Sequence, residues 1–183
     1  MLFRNMNPKD NVFCSIYDSK IGKLTLAATD TDLIGLWIEN QKHFGGPVKY
    51  PMQENDHHPL LTHAKTWLDR YFSGDKPALT ELPLAPQGSS FQKQVWQQLC
   101  QIPYGQTITY GAIAQQIAKQ RGIKTFSAQA VGGAVGRNPI SIIIPCHRVI
   151  GADGNLTGYA GGLDAKRWLL THETAMPLRH IQL

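Results

Sequence analysis

Cysteine is scarce in this chain: three residues, Cys14, Cys100 and Cys146, among 183. The number is odd and no two lie close together, which argues against a disulfide framework and against a paired-cysteine metal site. A reduced, cytoplasmic compartment fits this usage. No apolar run approaches the roughly 20 residues of a membrane span, and the opening MLFRNMNPKD lacks the apolar core of a secretory leader. Neither a membrane partner nor a signal peptide is expected. Acidic residues are scarce too, but only in one half. Residues 86–183 hold 9 Lys/Arg against 3 Asp/Glu, a net +6, whereas residues 1–85 hold 9 against 10, a net −1. A basic half beside a neutral one points to a polyanionic partner, most often nucleic acid.

What is present divides in two. The 42% hydrophobic and 17% charged content is that of an ordinary globular protein, long enough to bury a sizeable core. In residues 1–85, Cys14–Tyr17, Lys23–Ala28 and Leu33–Ile38 have strand character. Ser19-Lys20-Ile21-Gly22 and Asp30-Thr31-Asp32 supply turns, so a small antiparallel meander is expected. Leu60–Phe72 carries apolar residues at helical spacing, and Ser73-Gly74-Asp75 stops it. Pro77–Pro86, with three prolines, reads as a linker. Residues 86–183 open on a helix whose N-cap is Ser89, with Gln92 three residues on in the spacing of a capping box. A second helix, Tyr110–Ala118, follows Thr107 or Thr109. A third runs from Ser127 to Gly136 after the basic loop KQRGIKTF, in the order of a helix-turn-helix with a long turn. The fold class is α+β.

The third helix is poor by propensity, since each Gly costs about 1 kcal/mol against Ala. Ala128, Gly132 and Gly136 share one face, and Gln129, Gly133 and Arg137 the next. So bare a surface suits close approach, either by a neighbouring helix or by the narrow minor groove of DNA, about 6 Å wide.

The strongest chemical signal is Ile142-Ile143-Ile144-Pro145-Cys146-His147-Arg148-Val149-Ile150. Ile142–Ile144 reads as a buried strand ended by Pro145, which would hold Cys146 rigidly near the surface. His147 is a candidate base. Neighbours in a strand face opposite ways, so the pair needs a turn, a bend or a bridging water. A third group should orient the imidazole; Glu173 is the leading carboxylate, with Asp153 and Asp164 as competitors.

These motifs resemble the O6-alkylguanine-DNA alkyltransferases. The resemblance rests on Ile144-Pro145-Cys146-His147-Arg148-Val149, on Val131-Gly132-Gly133-Ala134 and Asn138-Pro139, and on Gly158-Tyr159-Ala160-Gly161-Gly162-Leu163 and Lys166 through Glu173. It spans roughly residues 89–175. It implies a ribonuclease-H-like N-terminal domain (1–85) and a mostly helical DNA-binding and alkyl-transfer domain (86–183) with a short active-site strand. It also implies one irreversible transfer per molecule, from O6-methylguanine and also O4-methylthymine in duplex DNA to Cys146, after minor-groove binding and base flipping. His147 would act as base through a water and Glu173 would hold it. Tyr110 would donate to guanine N3, and Asn138 would join the recognition helix to the active-site strand. Carbonyls of Cys146 and Val149 would receive the guanine amino group, and Tyr159, Ala160 and Lys166 would line the substrate site, Ala160 through its N–H. Gln129, Ala130, Gly132, Gly133, Arg137 and Arg148 would meet DNA. No cofactor is implied. No metal is expected either, because the N-terminal half has only Cys14, and His57, His58 and His63 read as a solvated loop. The protein is expected to act as a monomer, with cooperation along DNA left open.

Two departures stand out. Gln129 occupies the place where much of the family has an arginine finger, and the basic loop before it is long. Lys124 or Arg121 would then supply part of the missing charge. Two other classes compete: a Cys-His hydrolase or acyltransferase, and a DNA-binding module with an incidental cysteine.

Overall fold

The computed structural model describes residues 2–7, 10–46, 48 and 51–173. Strands β1 (Phe13–Ser19), β2 (Gly22–Ala28) and β3 (Leu33–Ile38) form the expected antiparallel meander. Gly22, at φ +104°, closes the first turn, a conformation that favours a residue without Cβ. A short strand, β4 (Gln53–Glu54), then adds in parallel to β1, giving the order β3-β2-β1-β4. The sheet is therefore mixed rather than purely antiparallel.

Helix α1 (Pro59–Ser73) packs Leu61, Ala64, Trp67, Leu68 and Tyr71 inward. Proline suits its first turn, where a missing N–H is no loss. Gly74, left-handed at φ +100°, ends it by donating to the Arg70 and Tyr71 carbonyls. His58, expected in a solvated loop, is instead buried and stacks on Phe13 with ring centroids 4.7 Å apart.

The proline-rich stretch 77–86 is not a free linker. Leu33 donates to Pro83 and Ala85 donates back to Leu33, so the segment lies along the edge of β3, with Leu82, Leu84 and Ala85 buried. Further along the same edge, Leu36 donates to Pro139 and Ser141 donates to Leu36. An edge strand presents unpaired backbone groups. Here both segments satisfy them, which is why all six residues of β3 are buried.

In the C-terminal half, α2 (Ser90–Leu99) starts at the Ser89–Gln92 capping box, with both reciprocal bonds formed. Thr109 caps α3 (Tyr110–Gln120), and Ser127 caps α4 (Ala128–Val135). The two-residue strands β5 (Ile108–Thr109) and β6 (Val149–Ile150) pair in parallel, and α5 (Leu163–His172) closes the described chain. Trp96 is buried and donates to the Ala134 carbonyl at 2.9 Å, fastening α2 to α4. One contiguous core runs through both halves, joining Leu26, Leu36 and Tyr71 to Ile140, Ile144 and Leu169.

Ile142–Ile144 is not a strand. Ile143 donates to Ser141 at 2.8 Å across Ile142, whose φ is +69°. This is a γ-turn of the rarer, strained hand. Cys146 donates to Ile144 at 2.8 Å across Pro145, a second turn of the commoner hand. Cys146–Arg148 then forms one 3-10 turn. An apolar run satisfies strand and buried-turn readings equally by pattern, and here the three isoleucines are core plugs on a coiled backbone.

The capping box yields a first prediction. Ser89→Ala should lower unfolding stability by about 1 kcal/mol, read as a lower urea midpoint with unchanged slope.

Candidate active site

The two turns and the 3-10 turn bring Cys146 and His147 to a buried position, 4% and 0% exposed. Asn138, just past the end of α4, fixes the thiol. Its Nδ2 donates to the Ile144 carbonyl at 2.8 Å and to Cys146 Sγ at 3.1 Å, while its Oδ1 accepts from the Ile140 N–H at 3.0 Å. The side chain thus ties the turn to the sulfur. Burial pushes the Cys146 thiol up; the Asn138 hydrogen bond and the nearby Lys166 charge pull the other way. At rest the sulfur is protonated.

His147 Nε2 meets Glu173 Oε1 at 2.8 Å. Burial pushes the imidazole pKa down, against the carboxylate's pull, and leaves it neutral near pH 7. An ionised carboxylate can only accept, so Nε2 carries the proton and Nδ1 holds a free lone pair. Nδ1 is buried with no hydrogen-bond partner among the described residues.

Glu173, at the C-cap of α5, is the most heavily bonded side chain in the site. Oε1 accepts from His147, from the Tyr71 hydroxyl at 2.7 Å and from Arg148 Nη2 at 3.0 Å. Oε2 accepts from Arg148 Nε at 2.7 Å and from the Gly105 N–H at 3.3 Å. Burial alone would raise its pKa; the His147 and Arg148 bonds and charges outweigh that and hold the carboxyl well below the usual range. The competitors are elsewhere: Asp153 bonds Asn155 and Asp164 pairs with Arg167, both exposed.

One expectation fails outright. Arg148 does not face a DNA surface. Its fork is bidentate on Glu173, its Nη1 donates to the Ile102 carbonyl at 2.6 Å, and it lies over the Tyr104 ring. It is the buried counter-charge of Glu173. Arg121 is exposed, with its guanidinium bonded to Gln94 and lying over Phe91 and Phe126. Lys124 is exposed in the loop between α3 and α4.

The glycine face of α4 borders open space and, at Gly132, the Tyr110 ring at the start of α3. A Cβ on Gly132 would meet only the Tyr110 ring, at 3.7 Å, and one on Gly133 only Arg137. The space is a groove of about 670 Å³ lined by Tyr110, Gln129, Gly132, Gly133, Arg137 and the loop 157–160, among others. Ala130, one turn in from the Ser127 cap, is exposed. Tyr110 donates to the Thr157 carbonyl at 3.2 Å, and burial raises its pKa, keeping it a donor. Tyr159 lines the groove while its hydroxyl is buried; burial first, then the nearby Cys146, raises its pKa. Lys166 is wholly buried, donating to the Val149 carbonyl at 2.6 Å and the Thr157 carbonyl at 2.9 Å, and burial brings its pKa down to about 8. It clamps the loop 157–158 to the active-site turn. The Val149 carbonyl keeps a second lone pair, and the Ala160 carbonyl accepts from the Lys42 N–H.

Sequence reasoning missed Tyr71. It read as one more member of the apolar stripe of α1, yet a buried tyrosine hydroxyl needs a partner, and that need was the available signal. Nothing in the sequence pairs it with Glu173, 102 residues away. Among the described residues no helix is long and apolar enough to cross a membrane.

Two family models match the chain. The ribonuclease-like domain of 6-O-methylguanine DNA methyltransferase matches residues 12–86, and the DNA binding domain of the same family matches residues 90–175. The chain is 44% identical to the methylated-DNA--protein-cysteine methyltransferase of Methanosarcina barkeri over 163 residues, 88% of this chain and 97% of that protein. It is 38% identical to the protein of that name from Haemophilus influenzae, over 88% of this chain and 86% of the relative. Among solved structures, Mycobacterium tuberculosis OGT in complex with DNA is similar at a TM-score of 0.76 and 41% identity, covering 87% of this chain and 91% of that one.

The buried ion pair generates two predictions. Glu173→Gln leaves Arg148 without its counter-charge and should destabilise the fold by about 3–5 kcal/mol at pH 7. The folded carboxyl titrates below its unfolded value of 4.5, so its contribution is complete above that pH and fades as pH falls toward the folded pKa. Urea unfolding of both proteins should show a full gap at neutral pH that narrows below about pH 4.5. Tyr71→Phe removes one hydrogen bond and should cost about 1 kcal/mol by the same measurement.

Proposed function

Since the chain belongs to the 6-O-methylguanine DNA methyltransferase family, we propose that it repairs DNA by moving an alkyl group from damaged DNA onto its own Cys146, once per molecule. O6-methylguanine in duplex DNA is the substrate, with O4-methylthymine a second one. Residues 1–85 form the N-terminal domain and residues 86–183 the part that binds DNA and accepts the alkyl group. The observation that carries this reading is a buried thiol, held by Asn138 beside a His147–Glu173 pair, behind a groove lined on one side by Ala128, Gly132 and Gly133 of α4.

Binding by the minor groove suits the glycine face of α4, where Gln129, Ala130, Gly132 and Gly133 let a backbone approach closely. The thiol is too deep for a stacked base, so the damaged nucleotide turns out of the helix, at a cost of a few kcal/mol that is smallest for a poorly paired base. In the site, the Cys146 and Val149 carbonyls accept from the guanine amino group, the Ala160 N–H meets O6, and Tyr159 and Lys166 hold the surrounding loop. His147 Nδ1 takes the thiol proton through a bridging water, and Glu173 stabilises the imidazolium. The sulfur lone pair forms the S–C bond as the C–O6 bond breaks, and that electron pair leaves on the guanine. Tyr110 then donates to N3, offsetting the developing negative charge. The product thioether is stable, so turnover stops at one. The protein acts as a monomer and needs no cofactor.

Mixing the protein with a duplex carrying one O6-methylguanine should add one methyl group, mapped by mass to Cys146 and absent in Cys146→Ala. Because the thiol hands its proton to a neutral His147, the transfer rate should stay level from about pH 7 to 9 and fall below 6.5 as the imidazole is protonated. Bound duplex with no mass gain would instead mark a lesion-sensing module, and neither binding nor gain would favour a Cys-His hydrolase.

A further inference from the structure

The groove has a wall that the α4 face does not supply. Beside Ala128, Gln129, Gly132 and Gly133 it is lined by Lys42 and His43, from the turn that follows β3. Its cationic side chains are Lys42 and Arg137, and no carboxylate is among its lining residues.

A surface lysine is ordinarily free to wander. This one stands on a fixed backbone. Its N–H donates to the Ala160 carbonyl at 2.9 Å. The preceding Gln41 is buried, and its Oε1 accepts from the Ile38 N–H at 3.0 Å and from the Ser141 hydroxyl at 3.1 Å. Asn40 and His43, at φ +59° and +63°, curl the turn tightly. The turn is thereby tied to the segment leading into Cys146 and to the loop that lines the groove. A cation held in register with the reactive centre is what a phosphate contact requires, since such contacts position the duplex without reading its sequence.

We propose that Lys42, with His43 beside it, binds a backbone phosphate of the damaged duplex and supplies, from the N-terminal half, the positive charge that α4 lacks at Gln129. This rests on the alkyl-transfer reading above. Each phosphate neutralised contributes about 0.9 to the slope of log affinity against log salt.

The test compares Lys42→Ala, Lys42→Arg and, as a control for net charge, Lys20→Ala in the exposed β1–β2 turn. The probe is a methylated duplex titrated across a range of salt. Lys42→Ala should lose about 0.9 of the slope and bind several-fold more weakly, Lys42→Arg should retain both, and Lys20→Ala should match the parent. The ratio of methyl-transfer rate from duplex to that from free O6-methylguanine base should fall several-fold in Lys42→Ala. A slope equal to that of Lys20→Ala, or duplex and free-base rates falling together, overturns the proposal. A parent protein that takes no methyl from the duplex brings down the alkyl-transfer reading itself, and this inference with it.

Discussion

The Glu173 carboxylate is the point on which the architecture turns. Four elements meet there: α1 through Tyr71, the segment before β5 through Gly105, the active-site turn through His147 and Arg148, and the end of α5. A buried anion is stable only when paired and fully hydrogen-bonded. Its demands therefore dictate where the other groups sit. Burial first, and then the Arg148 charge, keep His147 neutral against the carboxylate's pull and leave it a basic nitrogen.

Burial also sets the state of the nucleophile. A thiol raised by desolvation is inert until a base and a substrate are both in place. That suits the proposed single transfer to Cys146, because a resting thiolate would react with any small electrophile. Asn138 and Lys166 moderate the penalty by hydrogen bond and by charge. Lys166 does so while clamping two backbone carbonyls, so one side chain both shapes the loop and tunes the sulfur.

The helices of the C-terminal half were legible because their signals are local. Ser89 and Gln92 declare a capping box within four residues, and Ser127 and Thr109 mark helix starts the same way. Glycines at spacing four declare a bare face, but the spacing does not say what the face meets. Ile142–Ile144 and the proline-rich stretch were misread for one reason. In each, backbone hydrogen bonds go to partners chosen by the three-dimensional arrangement, to β3 or across tight turns, and residue type does not encode that choice. Arg148 was misassigned because an arginine beside a candidate nucleophile reads as an exposed cation; only its depth and its distance to Glu173 show otherwise.

By itself the sequence marked the candidates for chemistry, Cys146, His147 and Glu173, the last against two competing carboxylates, and the glycine face of α4. Identity and short-range spacing are properties of the chain. Tertiary structure alone decided which nitrogen of His147 is free, that Arg148 is a buried counter-ion, and that Tyr71 and Lys42 come across from the other half to join the site. Those are facts about burial and contact between residues up to 102 positions apart. The energies that settle them, desolvation and pairing of charge, exist only once the chain has folded around them.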